Sequence, residues 1–209
     1  MAQYSAALDS LWSKGLLYPC SCTRRDVSEA ASAPQEGALV IGPDGIVYPG
    51  TCRTARTDAS SRPKDQTLRL NMAAALQGLE ALEFIDTGEG PSGGTGKNSI
   101  SPNDLINGVG DIVVARKDMG TSYHLSVVVD DADQGVTEVV RGADLFEATS
   151  IHALLQHLLN LPTPQYHHHR LIRDEAGKRL AKRDDARALA KYRNDGLSPR
   201  DVLDLIGVT

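Results

Sequence analysis

The stretch IVVARKDMGTSYHLSVVVDDADQGVTEVVRG (residues 112–142) decides the fold class of this chain. It contains three valine-rich runs, at 112–116, 124–131 and 137–142, which are separated by polar turns. Short β-branched runs of this kind are typical of strands that are buried on both faces, as in the sheets of α/β proteins. The stretch therefore predicts three strands of a buried sheet.

The segments on either side extend this pattern. SIHALLQHLLNL (150–161) predicts an amphipathic helix, with Ser150 or Thr149 as N-cap and Pro162 just past its end. A long loop is expected at 89–107 and an irregular insertion at 29–44, because both are rich in glycine, proline or small residues. Further strands are expected at 67–72 and 167–172, and further helices at 4–14, 184–192 and 199–206. This order of elements predicts half of an α/β nucleotide-binding fold.

Composition narrows the class of protein. The chain has 209 residues, of which 41% are hydrophobic and 23% charged, enough for one domain plus a small insertion. A net charge of -5 excludes a generally basic surface that would coat nucleic acid, although a local basic groove remains compatible with it. No run approaches the roughly 18 apolar residues of a membrane span, and the first residues do not resemble a secretion signal. A cytoplasmic protein with no membrane partner is expected.

Three cysteines, Cys20, Cys22 and Cys52, are the only ones in the chain and all lie in its first quarter. In a reducing compartment this clustering favours a metal site over a disulfide framework. Structural zinc takes four ligands, and Tyr48, four residues before Cys52, is the candidate for the fourth by position. A phenolate can bind once a cation lowers the tyrosine pKa. The alternative is three small buried residues without a metal.

PSGGTGKNS (91–99) imitates a phosphate-binding loop. The Walker pattern would need glycine at position 91 and serine or threonine at position 98, where this chain has Pro91 and Asn98. A surface loop is therefore expected there. The row His167, His168 and His169 alternates sides if it lies on a strand, so the three rings cannot share one metal, and no catalytic histidine is assigned.

GKRLAKRD (177–184) is a basic run near the C-terminus. By composition alone, a solvated basic stretch at the start of a helix is favoured over a polyphosphate-binding loop. The choice between these two readings depends on the rest of the chain.

Taken together, these motifs resemble one family. CSCTRRDV, YPGTCR, GDIVVARKDMGTSYHLSVVVDD, GVTEVVRGADL and GKRLAKRD occur in the order found in the glutamyl-Q tRNA(Asp) synthetases, short relatives of glutamyl-tRNA synthetase among the class I enzymes. The resemblance covers nearly the whole chain. It implies the C-terminal half of a class I Rossmann-like catalytic domain, with a small zinc-binding insertion and short C-terminal helices. The implied segments are a leading helix (1–19), the zinc-binding insertion (20–66), the remainder of the catalytic domain (67–175), and a KMSKS-like loop with terminal helices (176–209).

The resemblance also assigns residues. Cys20, Cys22, Tyr48 and Cys52 match the zinc set of the family. Tyr123 and Arg141 fall where the family holds its glutamate substrate, and a guanidinium suits a carboxylate. Without the family, core packing would explain Tyr123, and an ion pair with Asp144 or Glu138 would explain Arg141.

In the basic run, RLAKR (179–183) matches the class I signature usually written KMSKS. Lys182 takes the position of the lysine that contacts ATP phosphate, and Arg179 replaces the first lysine. The resemblance therefore favours the polyphosphate-binding loop. ATP, with Mg²⁺, is implied as a substrate and Zn²⁺ as a cofactor.

The implied function is the ATP-dependent activation of glutamate and its transfer to the queuosine base of tRNA(Asp), by a monomer. The Arg-x-x-Pro-Ser and HIGH-like motifs of the family do not occur in the 209 residues, so impaired activation by this chain is expected. One alternative is a non-catalytic remnant that binds zinc and tRNA. Another is a truncated glutamyl-tRNA synthetase.

Overall fold

A computed structural model describes residues 1–32, 40–55, 61–88, 95–173, 177, 179 and 188–207. The chain divides into two compact units, Met1–His169 and Arg170–Thr209. The helices of the described residues are α1 (Ala2–Ser13), α2 (Arg24–Ala31), α3 (Met72–Ala75), α4 (Pro102–Asp104), α5 (Tyr123–Gln134), α6 (Phe146–Leu159), α7 (Leu189–Asn194) and α8 (Pro199–Leu205). The strands are β1 (Leu17–Cys20), β2 (Ile41–Gly42), β3 (Gly45–Ile46), β4 (Thr67–Leu70), β5 (Leu82–Asp86), β6 (Gly96–Ile100), β7 (Val113–Ala115), β8 (Glu138–Gly142) and β9 (Gln165–His169).

The first unit contains a four-stranded sheet with the strand order β6-β5-β9-β8. β5, β9 and β8 are parallel, and β6 pairs antiparallel with β5. The predicted strands at 137–142 and 167–172 are confirmed here as β8 and β9, although β9 begins and ends earlier than expected. The register sets Arg141 beside His168 on neighbouring strands. The chain therefore has the mixed α/β content that the sequence predicts.

A second sheet, with the order β1-β4-β7, is antiparallel throughout. The predicted strands at 67–72 and 112–116 are confirmed as β4 and β7. They do not, however, share a sheet with β8. The three valine-rich runs of the opening stretch therefore belong to different parts of the fold.

The middle valine-rich run, 124–131, is not a strand, and this prediction is wrong. It forms helix α5, which begins after Ser122, whose hydroxyl accepts a hydrogen bond from the Leu125 amide, and ends at the left-handed Gly135. The buried members of the helix recur at one and four residues, which is helical spacing: His124, Leu125, Val128 and Val129. β-Branched side chains lower helix propensity only slightly, so burial of this face and two good caps outweigh the strand preference of valine.

Four other boundaries differ from the predictions. The second half of the expected loop 89–107 forms β6, α4 and a π-helical turn, Leu105–Val109, while residues 89–94 lie outside the described part of the chain. Helix α6 begins at Phe146, so neither Thr149 nor Ser150 caps it. The expected irregular insertion, 29–44, contains the end of α2 and strand β2, which pairs with β3 just past it, while residues 33–39 lie outside the described part of the chain. Of the helix expected at 184–192, residues 184–187 lie outside the described part of the chain, and residues 189–192 lie in α7, which ends at Asn194.

The hydrophobic core of the first unit lies where α1, α5 and α6 pack on the sheets. Its centre is fully buried, as the solvent exposure of Leu8, Leu11, Leu125 and Ile151 shows. A smaller buried cluster holds Tyr18, Cys20 and Tyr48. Among the residues that the structure describes, none of the helices has the length and apolar composition that crossing a bilayer requires.

Candidate functional site

The four predicted zinc ligands come together at the end of β1. Tyr48 Oη lies 3.5 Å from Cys20 Sγ and 3.3 Å from Cys22 Sγ, and Cys22 Sγ lies 3.4 Å from Cys52 Sγ. All three sulfur atoms lie within 4.8 Å of one another. Around a tetrahedral zinc ion, neighbouring sulfur and oxygen ligands stand about 3.5–3.8 Å apart. The separations therefore suit a single metal ion.

The chemistry of the cluster also suits a cation. Its hydrogen bond to Tyr48 lowers the pKa of Cys52 to about 6, whereas burial raises the pKa of Cys22 to about 11 and raises that of Tyr48. One thiolate is thus available near neutral pH, and a metal would favour deprotonation of the others. The donor set fits Zn²⁺, which would act as a structural cross-link between β1 and the Tyr48–Cys52 loop.

Arg69 of β4 closes the outer side of this cluster. Its Nε donates to Cys20 Sγ at 3.4 Å, and its guanidinium carbon lies 3.8 Å from the centre of the Tyr48 ring. A cation in this position stabilises both thiolate charge and the aromatic face. This residue was not predicted, because β4 is remote in sequence from all four ligands.

Asp111 ties the cluster to the sheets. Its fully buried carboxylate accepts hydrogen bonds from Tyr18 Oη at 2.5 Å, Arg53 Nε at 2.8 Å and the Met72 amide at 2.8 Å. Tyr18 lies two residues before Cys20, and Arg53 directly follows Cys52. A single side chain therefore anchors both segments that carry the cysteines.

Tyr123 and Arg141, the predicted glutamate-binding pair, meet at one histidine. Arg141 Nη1 lies 3.1 Å from His152 Nδ1, and the Tyr123 ring packs edge-on against the His152 ring with centroids 5.9 Å apart. Tyr123 is 56% exposed, so core packing does not explain it. The Arg141 guanidinium donates further hydrogen bonds to His168 and Thr149. Burial lowers the pKa of Arg141, against the raising effects of Tyr166, Tyr123 and Asp131.

A cavity of about 550 Å³ opens beside Tyr123, between the β2–β3 hairpin and the start of α5. Three arginines line it, Arg24, Arg69 and Arg116, and Arg24 and Arg116 are exposed. Asp44 and Asp111 also line the cavity, and Asp111 is paired with Arg53, so the exposed guanidinium groups favour an anionic ligand on their side of the wall.

Sequence reasoning missed the buried polar residues behind this pair. His168 is fully buried and donates from Nδ1 to Asp86 Oδ2 at 2.7 Å, whereas His167 and His169 are exposed, as the alternation predicts. Gly88 supports this contact, because a Cβ there would lie 2.2 Å from the His168 carbonyl oxygen. Asp86 and His168 are 82 positions apart in the chain, so no local motif indicates them.

The described part of the glycine-rich stretch, residues 95–99, does not form a phosphate-binding loop. Lys97 lies in β6 and pairs with Glu83 at 2.7 Å on the neighbouring strand. In the second unit, the side chain of Arg179 is exposed, and its backbone forms an isolated antiparallel β-bridge with the backbone of Arg173. Lys182 lies outside the described residues.

The sequence model of the family "tRNA synthetases class I (E and Q), catalytic domain" matches residues 1–208. A protein from Rhodobacter capsulatus named glutamyl-Q tRNA(Asp) synthetase is 57% identical, over 98% of this chain and 72% of its own length. Proteins of the same name from Nocardia farcinica and Burkholderia cenocepacia are 41% and 39% identical, and the chain spans 59% and 58% of them.

Among solved structures, a glutamate-tRNA synthetase from Elizabethkingia anophelis superposes with a TM-score of 0.61 at 18% identity. The match covers 88% of this chain and 36% of that one, and at this identity it shows the fold alone. The family match extends over almost all 209 residues and the Rhodobacter relative is similar over the same range. The chain therefore belongs to the class I tRNA synthetases of the E and Q type, a family of ligases, within their catalytic domain.

Proposed function

We propose that the chain serves the ATP-dependent activation of glutamate and its transfer to the queuosine base of tRNA(Asp). The observation that carries this proposal is the 57% identity to a glutamyl-Q tRNA(Asp) synthetase over 98% of the chain. The convergence of Tyr123 and Arg141 on His152 supports it, since it sets a phenol and a guanidinium around one point beside an arginine-lined cavity.

In this proposal Arg141 binds a carboxylate of glutamate and Tyr123 orients the amino acid from the exposed side. Charge-assisted hydrogen bonds from a guanidinium are about twice as strong as neutral ones, and they discriminate an acid from its amide. The cluster of Cys20, Cys22, Tyr48 and Cys52 would hold Zn²⁺, which fixes the wall that carries Arg24 and Arg69. Arg24 and Arg116 would then face the tRNA phosphates.

The activation step is a nucleophilic substitution at phosphorus. A carboxylate oxygen of glutamate forms a bond to the α-phosphorus of ATP, and the bond to pyrophosphate breaks. Because negative charge grows on the leaving phosphates, a cationic group such as Lys182 stabilises the transition state more than the ground state. Mg²⁺ bound to ATP would supply the same kind of stabilisation. Arg179, in the same run, would assist.

The test is glutamate-dependent exchange of pyrophosphate into ATP, with Lys182→Ala beside the unaltered chain. Since the 209 residues contain no HIGH-like motif, we expect weak exchange that Lys182→Ala abolishes. Exchange that Lys182→Ala leaves intact would contradict the role of the basic loop. Strong exchange by the unaltered chain would contradict the impairment.

The acceptor is tested separately, with glutamate transfer to queuosine-containing tRNA(Asp) and to tRNA(Glu). Transfer to tRNA(Asp) alone supports the proposal, and transfer to the 3′ end of tRNA(Glu) would identify a glutamyl-tRNA synthetase. Binding of tRNA with no exchange at all would identify a non-catalytic module.

A further inference from the structure

Arg141 lies at the centre of a row of hydrogen-bonded side chains, and the proposed function assigns no role to the two histidines in that row. Its Nε donates to His168 Nε2 at 3.0 Å, and its Nη2 donates to Thr149 Oγ1 at 2.5 Å. Its Nη1 lies 3.1 Å from His152 Nδ1. Both imidazole rings are buried, with 2% of His152 and none of His168 exposed. The guanidinium is therefore held from two sides by rings that are shielded from solvent.

The chemistry of arginine fixes where the protons of these rings lie. A guanidinium has five N–H donors and no acceptor, so His168 Nε2 and His152 Nδ1 must both present a lone pair to it. The single proton of His168 is then on Nδ1, from which it donates to Asp86 Oδ2 at 2.7 Å. Asp86 is fully buried, and its other oxygen accepts from the amides of His168 and Gly88.

The same argument continues through His152. Its proton is on Nε2, which lies 3.1 Å from His124 Nδ1. His124 Nδ1 must then accept, which leaves its proton on Nε2, facing Asp44 Oδ1 at 3.4 Å. Every member of the row has one allowed tautomer, because the direction of each bond follows from the bonds of Arg141.

A second proton on either ring would set two donors against each other. It would also place a positive imidazolium in contact with a guanidinium. Burial, with Arg141, His124 and His168 as facing groups, lowers the pKa of His152 to about 3. Burial also lowers the pKa of His168, against the raising effect of Asp86 and with Arg141 and His167 as the other facing groups. Both rings are neutral at physiological pH.

We propose that His152 and His168 are positioning residues, two neutral imidazoles held in single tautomers that clamp Arg141 so that its remaining N–H groups are preset for a carboxylate of the substrate. The proposal rests on the proposed function, since it presumes that Arg141 binds glutamate. Thr149 completes the clamp, because its hydroxyl accepts from Arg141 and donates to the Leu145 carbonyl at 3.2 Å. A guanidinium that is fixed before the ligand arrives loses less entropy on binding.

The first test is independent of activity. Nitrogen-15 spectra of the imidazole side chains in the 209-residue chain at pH 7 report the tautomer of each ring. We expect His152 with its proton on Nε2 and His168 with its proton on Nδ1. A doubly protonated ring, the opposite tautomer, or rapid exchange between the two at either residue would overturn the proposal.

The second test measures L-glutamate binding by calorimetry. In His152→Asn the amide oxygen replaces Nδ1 as the acceptor for Arg141, whereas His152→Leu removes the acceptor at similar volume. We expect His152→Leu to weaken binding about tenfold, roughly one charge-assisted hydrogen bond, and His152→Asn to recover most of it. His157→Asn, an exposed histidine on the same helix, is the matched control and should bind as the unaltered chain does.

The two tests separate the two claims. Equal loss of affinity in the asparagine and leucine variants would contradict the positioning role, because packing alone would then explain both. Fixed tautomers in a chain that does not bind glutamate would overturn the proposed function and, with it, the role of the clamp toward substrate. Thermal unfolding of each variant identifies any that fails to fold, and the spectra of the unaltered chain decide in that case.

Discussion

A guanidinium carries no acceptor, so each neighbour of Arg141 must offer it a lone pair. This requirement links Asp86, His168, His152 and His124 into one hydrogen-bonded row with defined protonation. The cost of burying so many polar groups is offset only if all of them are satisfied. A change at one member therefore alters the donor and acceptor roles that its neighbours must take.

Acid is expected to destabilise the chain partly through His152. Its pKa is about 3 when folded and about 6.5 when unfolded, so between these values the unfolded state binds more protons. Stability from this group is complete above pH 6.5 and is lost as the pH falls toward 3. Urea unfolding at a series of pH values from 7 to 4 gives the free energy of unfolding as a function of pH. This free energy should fall less steeply with decreasing pH in His152→Asn, by at most about 1.4 kcal/mol per pH unit.

The matched control is His157→Asn, which removes an exposed ring from the same helix. An equal change in both variants in how steeply the free energy of unfolding depends on pH would show that burial of the His152 ring does not cause the effect. A slope that His152→Asn does not change would contradict the neutral state of His152.

At this scale, the sequence indicated Tyr123 and Arg141 only through the resemblance of their motifs to a family. Their common partner His152 lies on α6, and His168 and Asp86 lie on two other elements. The residues that contact one another here are separated by 11 to 82 positions in the sequence, and such contacts produce no periodic pattern in it. The resemblance could therefore suggest Arg141 as the proposed carboxylate ligand, but not the rings that hold it.

At the scale of helices and strands, whether a prediction is right depends on which physical property the sequence pattern reflects. β4, β7, β8 and α8 follow from alternation, valine content and caps, and the structure confirms them. The run 124–131 is a helix despite its valine content, because Ser122 and Gly135 cap it and one helical face is buried. The local pattern also cannot say which strands pair, so the separation of β4 and β7 from the parallel sheet was not foreseen.

Asp111 joins β1, the Cys52 turn and α3, and its removal should loosen all three elements. In Asp111→Asn the amide keeps one acceptor oxygen and sets its NH₂ group either against the donors Tyr18 and Arg53, which share Oδ2, or against the Met72 amide, which bonds Oδ1. We expect a loss of about 2–3 kcal/mol in the free energy of unfolding, as for hydrogen bonds to a buried charge. Urea denaturation of both proteins measures it.

Asp118→Asn is the control, since Asp118 is exposed in the turn after β7. That change should stay within about 0.5 kcal/mol, as for an ordinary surface position. A loss of the same size in both variants would show that Asp111 does not anchor the cysteine-bearing segments.

For the whole molecule, the proposed zinc site predicts a metal-dependent stability. Elemental analysis of the purified chain should find a single zinc ion, and a chelator should lower its unfolding temperature, because the ligands bind only when folded. Cys52→Ser should lose the metal, whereas Ser21→Ala, between two ligands, should keep it. The proposed site would be contradicted if the purified chain contained no zinc and the chelator left its unfolding temperature unchanged.

The parallel pairing of β5 with β9 also has a consequence for how the chain is made. β5 ends at Asp86, and its partner begins at Gln165, so the ribosome must add about 80 residues between them. At roughly 5–20 residues per second, this takes about 4–16 s. Among the described strands, β6 pairs with one edge of β5, and the other edge waits for β9. Until β9 is made, the edge of β5 that it will pair with stays open for seconds, and we expect the yield of newly made chains to depend on chaperones that bind unpaired strands.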